Sequence, residues 1–195
     1  MKLAIRDLDV RFAERRVVDV EALDLDEAEI VGLVGESGSG KSVTALAIVG
    51  LARTVGATVG GSVKLDGREL VGLPEPELRA VRGSRIAMIF QSPVSAFNPV
   101  FRVGDLFLRA LTLHGASRGE SRARARDALE EVLLPADLLE RYPHELSGGQ
   151  AQRIAIALAV ALRSEVLLAD EPTSALDVTV QAEILELLRR VREHE

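Results

Sequence analysis

One octapeptide constrains this chain more than any other feature. Gly35-Glu36-Ser37-Gly38-Ser39-Gly40-Lys41-Ser42 fits the pattern of a glycine, four free positions, then glycine, lysine and serine or threonine. Its surroundings fit too. Ile30-Val31-Gly32-Leu33-Val34 is a short continuous apolar run, which predicts a strand buried on both faces. Lys41 to Leu51 carries helix-forming alanine and leucine with apolar periodicity. The order is therefore buried strand, glycine loop, helix. Glycines let a backbone curl so that several N–H groups point inward at phosphate oxygens, and a helix beginning near Lys41 adds its positive end. Lys41 would supply a point charge for the β- and γ-phosphates and Ser42 a hydroxyl ligand for Mg²⁺. The plainer reading, a glycine turn that merely joins strand to helix, is weighed down by this context. Alone, the loop indicates a nucleoside triphosphate and leaves kinase, GTPase, helicase and transporter ATPase open.

A second site lies downstream. Val166-Leu167-Leu168-Ala169-Asp170-Glu171 is an apolar strand ending in two carboxylates. Asp170 sits where a strand tip can reach Mg²⁺. Glu171 follows on a loop and can polarise an attacking water as a general base. By itself the segment would read as a solvated Asp-Glu-Pro turn; beside an upstream phosphate loop it reads as catalytic.

The rest of the chain supports an α/β fold. Residues 3–12 and 17–25 alternate, as an antiparallel pair with one wet face does. A short strand is expected over 62–66 and a buried one over 86–90, then an irregular stretch from Gln91 to Pro99. Helices are expected over 103–113, 120–134, 150–163 and 178–193, with a buried strand over 166–169. Buried strands separated by helices argue for a mostly parallel sheet. The chain's 24 basic and 30 acidic residues give −6, a poor balance for indiscriminate nucleic-acid binding. It has no cysteine, which excludes disulfides and thiolate metal sites. The longest apolar run, Ile154 to Leu162, is far too short to span a bilayer.

Leu146-Ser147-Gly148-Gly149-Gln150 adds a third motif. With the loop at 35–42 and the strand at 166–171, it resembles the nucleotide-binding domain of an ABC (ATP-binding cassette) transporter. Gln91 resembles that family's Q-loop glutamine, and Ser174-Ala175-Leu176-Asp177 its D-loop. The segments Leu78–Gly83, Gln91–Phe101, Tyr142–Glu145 and Ala175–Gln181 resemble ATPase subunits of oligopeptide, dipeptide and nickel importers. The resemblance implies a P-loop NTPase (RecA-like) core over residues 1–90 and 151–195, with an antiparallel β portion, and a Q-loop and helical subdomain over 91–150. It implies that Gly35, Glu36, Ser37, Gly38, Ser39, Gly40, Lys41, Ser42 and Val43 bind ATP, that Phe12 stacks on the base, and that Asp177 contributes as well. Mg²⁺ would be held by Ser42, Gln91 and Asp170, with Glu171, Lys41 and Gln91 in catalysis. Ser147, Gly148, Gly149 and Gln150 resemble a second phosphate cradle at a helix N-terminus, closing on ATP held by a partner subunit.

The partners so implied are a second ATPase subunit, integral membrane permease subunits and, indirectly, an extracytoplasmic solute-binding protein, with no nucleic acid. The location implied is the cytoplasmic face of the cell membrane, held there through the permease. Val94, Phe97, Val100 and Phe101 are read either as permease contacts or as a small satellite core. Three features depart from the family pattern. Phenylalanine stands at position 12 where tyrosine is common. Ala28-Glu29 stands for Gly-Glu. The switch histidine expected after a further strand has no counterpart, since His194 falls in a helix-end polar run. The chain is accordingly expected to be a fragment, or a truncated cassette that dimerises and hydrolyses weakly; a soluble non-transport ABC ATPase is the remaining alternative.

Overall fold

A computed structural model describes residues 2–173 and 178–194. It divides into two compact units, Met1–Arg82 and Gly83–Glu195.

The first unit is built on a four-stranded antiparallel sheet ordered β2-β1-β3-β4. Its strands are β1 (Leu3–Phe12), β2 (Arg15–Leu25), β3 (Thr58–Leu65) and β4 (Arg68–Glu69). The expected hairpin is present, with Leu3 opposite Leu25 and Phe12 opposite Arg15. Its burial phase slips once. Leu3 and Ile5 point inward, then Leu8 and Val10. The extra residue is Asp7, whose φ of 48° puts it in the left-handed region, and the register with β3 shifts between Arg6 and Asp9. This is a β-bulge, one added residue that flips the alternation. It also explains why β3 starts at Thr58 rather than near the expected Ser62. Gly61 crosses the bulge at φ +85°, and a Cβ there would lie 2.2 Å from the Asp7 carbonyl oxygen. The glycines read as a loop are a strand whose partner's backbone comes too close for a side chain.

The helices of this unit are α1 (Lys41–Ile48) and α2 (Glu75–Val81). The second went unforeseen, although Pro74 and Pro76 around an acidic first turn are a start signal. Between β2 and α1 the structure corrects the sequence reading. Ile30–Val34 belongs to no described strand, and Ile30 and Val34 are 56% and 93% exposed. An apolar run becomes a buried strand only where a neighbour supplies a ladder and a covering layer. Within this unit β1 is already paired on both edges. Ala28, where glycine would be at ease, takes φ 53°, and Glu29 closes the turn by accepting from the Asp26 amide at 2.8 Å.

The second unit holds β5 (Ile86–Ile89) and β6 (Val166–Ala169), a parallel pair in which Ile86 meets Val166 and Ile89 meets Ala169. Both strands lie where the apolar runs placed them. Arg85 forks onto Glu165 through two bonds of 2.8 and 2.7 Å ahead of the pair. Four longer helices follow the expected spans closely: α4 (Val103–Leu113), α5 (Arg118–Glu131), α6 (Gly148–Leu162) and α7 (Val178–His194); a single turn, α3 (Pro93–Ala96), sits in the stretch read as irregular. Phe107, Leu111, Leu129, Ile154 and Ile156 interlock at the centre of these helices, with Ile89 of β5 against them. The parallel part of the α/β fold is thus carried by two described strands, and no helix among the described residues is long and apolar enough to cross a membrane.

Candidate functional site

The loop at 35–42 takes the shape its glycines allow. Gly38 and Gly40 have φ of 82° and 96°, and the Ser39 amide donates back to the Glu36 carbonyl at 3.2 Å. Gly40 is pinned for a second reason. A Cβ there would stand 2.5 Å from the Val17 carbonyl oxygen of β2, so any side chain would push the loop off the sheet. Helix α1 starts at the very next residue, with no side-chain cap on Gly40 and no acidic residue in its first turn. Its N-terminal partial charge is left unneutralised by its own sequence, a ready anion site. The Lys41 ammonium turns back over the loop and donates to the Gly35 and Glu36 carbonyls at 2.8 Å each. Ser42 and Val43 continue the first turn, and Thr44 ties it by donating to the Gly40 carbonyl from both its amide and hydroxyl. Phe12 ends β1 half-buried, on the hairpin whose Val17 touches the loop.

In the second unit the parallel register does the positioning. Ile89 pairs with Ala169, so continuing two residues past each strand end brings Gln91 opposite Glu171. Gln91 Nε2 donates to Glu171 Oε2 at 2.7 Å. Sequence reading placed both residues at strand ends but missed that one holds the other; the matching end points of the two runs were the available signal. Asp170 extends the ladder, donating its amide to the Ile89 carbonyl at 2.9 Å. Glu171 adopts φ 45°, a left-handed conformation that costs a non-glycine residue about 1–3 kcal/mol and collects at working sites.

Helix α6 opens with a reciprocal cap. Ser147 Oγ accepts from the Gln150 amide at 3.2 Å, and Gln150 Oε1 accepts from the Ser147 amide at 2.9 Å. These two side chains therefore hold the turn, and the spacing Ser-x-x-Gln was the signature of it. Gly149 has a packing reason as well, since a Cβ there would press on Val180 of α7 at 3.1 Å. Of the apolar residues after Gln91, Phe97 packs on the helical core and Phe101 lies under the Arg109 guanidinium at 3.8 Å, whereas Val100 is largely exposed. Asp177, with the rest of the 174–177 segment, lies outside the described residues.

The first unit thus presents a glycine-built loop at the head of an uncapped helix, and the second a strained carboxylate at a strand end. The comparisons with known proteins make the class specific. The family model described as ABC transporter matches residues 19–174, and the chain belongs to that family. It is 43% identical over 200 residues to the dipeptide transport ATP-binding protein DppD of Escherichia coli K12, covering 99% of this chain and 61% of that protein. It is 46% identical over 197 residues to the oligopeptide transport ATP-binding protein OppD of Salmonella typhimurium, covering 97% and 58%. A dimeric post-hydrolysis state of the ATP-binding cassette MJ0796 bound to ADP and Pi superposes with a TM-score of 0.85 at 30% identity, over 98% of this chain and 83% of that one. The chain thus spans about three-fifths of the length of these two transport relatives.

Proposed function

We propose that this chain is the nucleotide-binding part of an ATPase subunit that energises import of peptides or a related small solute. The observation that carries the reading is the Lys41 ammonium seated in a glycine-shaped loop at the uncapped head of α1. On this reading Lys41 exchanges its two carbonyl partners for β- and γ-phosphate oxygens, and the amides of Gly38 to Ser42 cradle the rest of the chain of phosphates. Phe12 offers a ring face to the base. Ser42 and Asp170 are hard oxygen donors of the kind Mg²⁺ takes in small number while keeping water and substrate phosphates, and Gln91 has a carboxamide oxygen to add. The cation's contribution would be to neutralise charge building on the phosphates. Glu171 orients and polarises the attacking water, with Gln91 fixing its carboxylate.

The likeness to a dimeric cassette supports a head-to-tail pairing in which Ser147 and the amides of Gly148 and Gly149 face a nucleotide held by a second cassette. Asp177 would work at the same junction. The names of the relatives support peptides as the solute; on this reading the partner is a membrane permease, the chain lies on the cytoplasmic face, and a solute-binding protein acts through the permease. The test is ATP turnover by the full-length protein assembled with its cassette partner and permease. Glu171→Gln should keep ATP binding and lower turnover by about 10²- to 10⁴-fold. Equal turnover would sink the assignment.

A further inference from the structure

Gln152 is buried to 3% exposure, yet its Nε2 is enclosed and finds no hydrogen-bond partner among the described residues. Such a donor is rarely left unmatched in a native fold. It sits near the start of α6, one turn after Gly148, so the two residues share a helix face. That face borders a cavity of about 70 Å³ whose other walls include Gln91, Val94, Glu171 and Pro172. A cavity of this size, with the polar groups of Gln91, Gln152 and Glu171 among its otherwise apolar walls, has room for water, which needs only about 10–15 Å³. The same cavity is lined by the Glu171 side chain that accepts from Gln91 at 2.7 Å.

We propose that Gln152 is a positioning residue for Glu171, acting through an ordered water that accepts from Gln152 Nε2 and donates to the carboxylate. Glu171 would then be held from two sides, by Gln91 directly and by Gln152 through water. Both holds matter because the backbone at Glu171 is strained and gives the side chain little support of its own. The arrangement also links the start of α6, beside the Ser147–Gln150 cap, to the base of the same chain. A shift of that helix end would move the water and re-aim the carboxylate. The inference rests on the reading of Glu171 as the base.

The test uses the full-length protein in its assembled complex, with Mg²⁺ and ATP as the probes. Gln152→Met keeps the volume and removes the donor. It should lower kcat about ten- to hundredfold with KM for ATP unchanged, leave the melting temperature near wild type, and add nothing further in a Gln91→Ala background. Unchanged kcat, a fall explained by melting temperature, or losses that add to those of Gln91→Ala would overturn it. A crystal structure of the wild type, fine enough to show water, decides the matter independently of how the variant folds. A water within about 3.2 Å of both Gln152 Nε2 and Glu171 is expected; a dry cavity, or a Gln152 amide turned onto a protein acceptor, overturns the proposal. Glu171→Gln separates the two readings. If that variant keeps full turnover, the base assignment fails; if it is inactive while Gln152→Met matches wild type, only the role of Gln152 fails.

Discussion

The two units treat similar apolar runs in opposite ways. In Gly83–Glu195, the runs at 86–89 and 166–169 found each other, and Ile86, Ile89 and Val166 are at most 3% exposed. In Met1–Arg82, the run Ile30–Val34 has no ladder among the described strands, and Val34 is 93% exposed. Hydrophobicity states that a segment gains by burial; it does not state which neighbour provides it. The units also hold themselves together differently. The second interlocks large side chains of α4, α5 and α6 with Ile89. The first also buries side chains, among them Ile5, Leu8, Val10 and Leu65, and adds backbone devices: a bulge at Asp7, a glycine crossing it, and a carboxylate that gathers amides.

Truncating side chains should therefore separate the two kinds of run most. Ile86→Ala removes a fully enclosed side chain and should cost about 2–5 kcal/mol, whereas Val34→Ala should stay within about 0.5 kcal/mol. Denaturant unfolding of the 195-residue chain measures both. A comparable cost at Val34 would show that this run is packed after all and would break the comparison. Backbone change should do the reverse. Gly61→Ala adds only one methyl, but it meets the Asp7 carbonyl at 2.2 Å and keeps a left-handed φ. A loss of about 3 kcal/mol is expected, and a near-neutral result would mean that the bulge relaxes easily.

The smallest effect concerns Glu69 of β4. Partial burial pushes its carboxyl upward, but the Ser62 hydroxyl and the amides of Val63, Val71 and Leu70 outweigh this and hold it below the usual glutamate range. A lowered carboxylate stabilises the fold at pH above its unfolded value and loses that contribution as pH falls through the folded one. Glu69→Ala should cost about 2 kcal/mol at neutral pH, with the gap to wild type narrowing below about pH 4. A gap independent of pH would remove charge from the explanation.

Much of this was legible in the residues, and the illegible parts share a cause. The helices of the second unit and the strands β5 and β6 could be read because their periodicity and their end signals are local. The curl of the loop at 35–42 could be read because its glycines sit at fixed spacing, and Gly38 and Gly40 do adopt the left-handed backbone that spacing implies. The bulge at Asp7 could not, since it arises from how two distant strands meet. Nor could the grip of Gln91 on Glu171, which follows from the register of β5 against β6. Gln152 is one polar residue near the start of an apolar helix, with nothing local to single it out, and only the enclosed amide and the cavity beside it do so. The solitary run at Ile30–Val34 shows the converse, a clear local signal with no partner strand among the described residues.

The most direct test is a calorimetric titration of Mg²⁺ and ATP into the 195-residue chain, its Lys41→Ala variant and its Glu171→Gln variant. Lys41→Ala should weaken affinity by about ten- to a hundredfold, the worth of one charge-assisted hydrogen-bonding group, while Glu171→Gln binds as wild type does. Undiminished affinity in Lys41→Ala would contradict the assignment of residues 35–42 as the phosphate cradle.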